Sequence, residues 1–88
     1  MKLKEEYVLE KIANKWVVID TNAKSINFNK MLVINDTGRF IFKKLEKDIS
    51  KDELVNELIK YYDVEKQNAI KDIDNFIKEI NKLGYLDE

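Results

Sequence analysis

Hydrophobic positions change their period once along this chain, and the change falls between Ile26 and Phe42. Up to Ile34 the apolar residues alternate with polar ones or run unbroken, as in extended chain. From Asp36 they recur at helical spacing, with Phe40, Ile41 and Leu45 on one face. Between the two lies Asn35-Asp36-Thr37-Gly38, an N-cap cluster with a glycine inside the first turn. Asn or Asp there can accept from the orphan amides of a helix start, and Gly38 leaves room for another segment to approach the backbone. A strand therefore runs almost directly into a helix.

Before that junction the pattern predicts strands. Tyr7–Ile12 alternates, and Trp16–Asp20 is rich in β-branched residues, with Ala13-Asn14-Lys15 as a short polar connection. Thr21–Lys24 reads as a turn. Ser25–Phe28 and Met31–Ile34 are extended pieces around Asn29-Lys30, either one bent third strand or a small hairpin. After the junction the pattern predicts helices. The first spans about Asp36–Glu46. The second opens on Ser50-Lys51-Asp52-Glu53, which fits a capping box, and carries an apolar stripe of Leu54, Val55, Leu58, Ile59 and Tyr62. Asp63-Val64 breaks it. The third spans about Glu65–Leu83, with Ala69, Ile70, Ile73, Phe76, Ile77, Ile80 and Leu83 at helical spacing. Gly84 is placed as its C′ residue, and Tyr85-Leu86 as an apolar tail folding back. The reading is an α+β fold: a small winged-helix-like domain over residues 1–88, a three-stranded antiparallel sheet followed by three α-helices.

Composition narrows the chemistry. Eighty-eight residues with 44% hydrophobic and 38% charged residues make a small core in a solvated shell. There is no cysteine and no histidine, which removes disulfides, thiolate metal sites, the commonest general acid–base and the usual partner of a catalytic serine. With two glycines there is no glycine-rich phosphate loop. No catalytic residue, metal site or cofactor motif is expected. No apolar run is long enough to cross a bilayer and the N-terminus lacks a signal-peptide pattern, so a cytoplasmic protein without membrane contact is expected. The net charge of −1 does not favour a polyanionic partner.

Two places stand out as candidate binding surfaces. The Ile26–Ile34 edge of the sheet carries only Lys30 to blunt it, and an unblunted edge can accept a strand from another chain; an ordinary edge covered by a helix is the plainer reading. The third helix has the widest apolar surface: Ile70, Ile73, Ile77 and Ile80 suit a core line, while Phe76 fits equally in the core or on the wall of a groove. The first two helices resemble a helix-turn-helix. The second helix, however, presents Asp52, Glu53, Asn56, Glu57 and Lys60, a mostly acidic face that would repel phosphate, and Arg39 is the chain's sole arginine. A winged-helix nucleic-acid-binding or transcription-regulatory protein remains the alternative reading.

Taken together, the strand pair around Tyr7-Val8-Leu9 and Trp16-Val17-Val18, the junction Leu32-Val33-Ile34-Asn35-Asp36-Thr37-Gly38, and the distal Glu53-Leu54-Val55…Tyr61-Tyr62-Asp63-Val64…Phe76-Ile77…Leu83-Gly84-Tyr85-Leu86 pattern resemble the PqqD family over about residues 5–87. The stretch Thr21–Lys30 is longer than in the founding quinone-pathway members. The resemblance implies a non-catalytic adaptor, a peptide-recognition element for ribosomally made, modified peptides. Such proteins bind the leader segment of a precursor peptide and present its core to a modifying enzyme, often a radical S-adenosylmethionine maturase, or to a leader peptidase. In the family the leader adds to the third strand, in a groove closed by the third helix. Transferred to this chain, that implies peptide contacts at Ile26, Phe28, Met31, Leu32, Val33, Ile34, Ile73, Phe76 and Ile77, no cofactor, no nucleic acid, and a monomer or weak homodimer.

Overall fold

Two alternating segments joined by Ala13-Asn14 form a tight hairpin. In the computed structural model, which describes residues 1–22 and 32–87, strands β1 (Tyr7–Ile12) and β2 (Lys15–Asp20) pair antiparallel with Ile12 opposite Lys15. Ala13 and Asn14 both adopt positive φ, 50° and 65°, the backbone that two-residue hairpin turns require because it matches the strand twist. Lys15, placed in the connection by its charge, thus belongs to β2. Strand β3 (Leu32–Ile34) pairs antiparallel with β2, giving the order β1-β2-β3. Ser25–Met31, and with it the choice between a bent strand and a hairpin, lies outside the described residues.

Three helices follow: α1 (Asp36–Lys44), α2 (Lys51–Tyr62) and α3 (Lys66–Lys82). The Asn35 side chain accepts from the Gly38 N–H at 2.8 Å, fixing where α1 starts. At α2 the Ser50 hydroxyl accepts from the Glu53 N–H at 3.1 Å. The Glu53 carboxylate then accepts from that hydroxyl at 3.0 Å, instead of reaching the Ser50 amide as a full capping box would. Asp63 ends α2 in the left-handed conformation, and Gly84 (φ 78°) turns the chain after α3.

The core lies between one sheet face and the helices. Val18 joins Ile41, Phe42, Leu45, Leu54, Leu58, Ala69, Ile73 and Ile80, all but closed to solvent. Leu32 and Ile34 pack against this cluster, while Val33, one residue out of phase, faces the other side of the sheet and is 56% exposed. The buried axis of α3 runs through Ala69, Ile73 and Ile80, so it shares only Ile73 and Ile80 with the core line expected from the sequence, and Ile70 and Ile77 are partly buried at its side. Ala69 is enclosed, and Leu83 is 45% exposed.

The ends of the chain close the bottom of the core. Leu3 and Leu86 form an antiparallel bridge, supported by Lys4 N–H to Tyr85 O and Asp87 N–H to Lys2 O. Leu3, Tyr85 and Leu86 are buried, and the Tyr85 ring stacks on Tyr7 at 4.1 Å between centroids. The apolar tail was expected to fold back; its pairing with Lys2–Lys4 was not.

Candidate functional site

Gly38 is where the sheet, α1 and α3 meet. A Cβ at this position would stand 3.1 Å from Ile34 Cβ and 3.1 Å from Phe76 Cε2. Those separations are tighter than side chains ordinarily tolerate, so the missing side chain is what lets the Phe76 ring close against the β3–α1 junction. The close approach expected from the sequence is therefore made, and the segment making it is α3.

Beside this contact runs a groove of about 340 Å³ between the first turn of α1 and α3. Asn35, Thr37, Gly38 and Ile41 form one wall; Asp72, Asn75, Phe76 and Glu79 form the other. Strand β3 runs straight into Asn35 on one of these walls, and its outer edge pairs with no strand among the described residues. That edge is Leu-Val-Ile and carries no charge. The opposite edge of the sheet, β1, also borders a groove, of about 300 Å³, but lysines and glutamates (Lys4, Glu5, Lys43, Glu46) line much of it. Charges of this kind discourage strand addition, so the β3 edge is the better candidate.

The residues expected at the site separate into four groups. Leu32 and Ile34 lie on β3, half-buried against the core, and Phe76 lines the groove. Val33 lies on the same strand, but its side chain faces away from the helices. Ile73 is fully enclosed and Ile77 packs against the core without lining the groove, so both support α3 from beneath instead of forming its wall. Ile26, Phe28 and Met31 lie outside the described residues. The polar members Asn35, Thr37, Asp72, Asn75 and Glu79 were not foreseen. A signal existed for two of them: once Phe76 is placed on the wall, Asp72 and Glu79 stand four residues before it and three after, on the same helix side.

The nucleic-acid face is poorly equipped. Asp52, Glu53 and Asn56 are exposed on α2, and the Arg39 guanidinium lies over the Trp16 ring at 4.5 Å. Among the described residues there is no acidic cluster placed to hold a metal ion and no helix long and apolar enough to cross a membrane.

The family model for coenzyme PQQ synthesis protein D (PqqD) matches residues 15–86. The chain belongs to the PqqD family. Two solved structures share the fold of this PqqD-family protein. One is TbiB1 in complex with the TbiA(beta) leader peptide, with a TM-score of 0.71 and 20% identity over 99% of this chain and 100% of that one. The other is a lasso peptide synthetase B1 complexed with the leader peptide, with a TM-score of 0.70 and 21% identity over 96% and 93%. No curated protein matches the chain.

Proposed function

We propose that this PqqD-family protein is a non-catalytic adaptor that binds the leader segment of a ribosomally made precursor peptide. The leader adds as an antiparallel strand to the outer edge of β3, beside the groove that Phe76 closes. The protein then presents the core segment to a partner, a radical S-adenosylmethionine maturase or a leader peptidase. The observation that carries the reading is the uncharged β3 edge standing next to the Gly38–Phe76 contact. In this mode main-chain hydrogen bonds set register and side-chain pockets give selectivity. Family membership supports the reading, as do the leader peptides bound to the two proteins of like fold. With no histidine or cysteine, the chain's contribution is binding and placement.

Trp16 provides the test. It is the single tryptophan, and it sits opposite Ile34 in the β2–β3 register. Titration with a tryptophan-free leader peptide should change Trp16 fluorescence saturably. Phe76→Ala should weaken binding while the protein stays folded. A folded Phe76→Ala variant of unchanged affinity would remove α3 from the site.

A further inference from the structure

The charges on α3 are sorted around its axis. At about 100° per residue, the positions met on going from Phe76 toward solvent on the groove side are Leu83, Asp72, Glu79, Asn68 and Asn75, with no lysine among them. Lys71, Lys78 and Lys82 come only beyond these, and none lines the groove. Asp74, toward α2, pairs with Lys51, whereas neither Asp72 nor Glu79 forms an ion pair among the described residues. Among the described residues the facing wall brings no cation: it is Asn35, Thr37, Gly38 and Ile41. The nearby Arg39 is stacked on Trp16. The groove thus combines apolar surface from Ile41 and Phe76 with two carboxylates that have no ion-pair partner among the described residues.

We propose that Asp72 and Glu79 set the specificity of this groove: they select a leader segment that carries two Lys or Arg residues close together, flanking an apolar residue seated against Phe76. The proposal rests on the leader-binding reading and names the chemistry of the peptide that reading requires. Seven residues of helix separate the two carboxylates by about 10 Å, the length of about three residues of extended chain. Basic residues two to four positions apart therefore reach both. Partly exposed ion pairs are individually weak, so the two together are expected to change affinity about three- to tenfold, and the difference should shrink as salt is raised.

The experiment is a selection from a displayed library of random linear peptides, run in parallel on the wild-type protein and on the Asp72→Asn/Glu79→Gln double variant. Exchange protection at Leu32–Ile34 identifies binders at the β3 edge. The expected result is Lys/Arg enrichment at two nearby positions for the wild type. The double variant should lose that enrichment but keep the apolar preference. A peptide from the wild-type pool, resynthesised with Gln at its basic positions, should bind about three- to tenfold more weakly; this arm needs no protein variant. Edge-binding peptides without basic enrichment, or enrichment that persists in the double variant, would overturn the proposal and leave the leader reading standing. Failure to recover any peptide that protects Leu32–Ile34 would overturn the leader reading and the proposal with it.

Discussion

Gly38 shows how one missing side chain organises the site. The residue is buried, caps onto Asn35, and lets Ile34 and Phe76 meet across it. Gly38→Val would force both neighbours apart, and overpacking of this kind costs about 1–3 kcal/mol. Denaturant unfolding should show a lower midpoint, and equal midpoints would mean that the contact is looser than the geometry says. Phe76 is only partly enclosed, so Phe76→Ala should cost less than the roughly 3–5 kcal/mol of a fully buried ring, and its larger effect should fall on peptide affinity. At the other end of the core, burial raises the Tyr85 hydroxyl above its ordinary pKa of 10.0, and the Tyr7 hydroxyl moves the same way, again chiefly by desolvation. A pKa raised on folding means the folded state holds its proton more tightly. The resulting stability is complete below pH 10.0 and lost as pH rises through the folded values. Alkaline titration of tyrosinate absorbance should show late-ionising groups, and Tyr85→Phe should remove part of the alkaline loss of stability.

At the scale of elements, segments with a strong period or a strong cap were legible in the sequence. The β1–β2 hairpin, the Asn35 and Ser50 side-chain caps, and the apolar stripe of α2 form as their residues dictate, and α3 forms too, with its buried axis shifted onto Ala69 and away from Leu83. The Leu3–Leu86 bridge was not legible, because one apolar residue at each end carries no period. Nor were Asp72 and Glu79 as site residues: an outward carboxylate on a helix reads as solvated surface until another element, here the first turn of α1, makes a groove of it. The division of labour within α3 also needed the structure. Ile73 is enclosed and Phe76 is not, although both belong to the same apolar surface in sequence. Ile73→Ala should therefore cost about 2–5 kcal/mol of stability, with little change in the affinity of the molecules that remain folded. A large loss of affinity at unchanged stability would put Ile73 on the wall after all.

At the scale of the whole molecule, the sheet has one uncharged edge, that of β3, and the helices α1 and α3 form a groove at the junction β3 leads into. An adaptor built this way tethers a substrate and so raises its effective concentration at a partner enzyme. In a reconstituted reaction, Phe76→Ala should raise the apparent KM for precursor peptide and leave kcat nearly unchanged, the mark of lost uniform binding. Modification or cleavage of the precursor by the purified protein alone would contradict the adaptor role. The most direct test of the central claim is residue-resolved amide exchange with and without a bound leader peptide. Strand addition predicts slowed exchange at Leu32–Ile34 and no change along Tyr7–Ile12; protection confined to the β1 edge, or to α2, would contradict it.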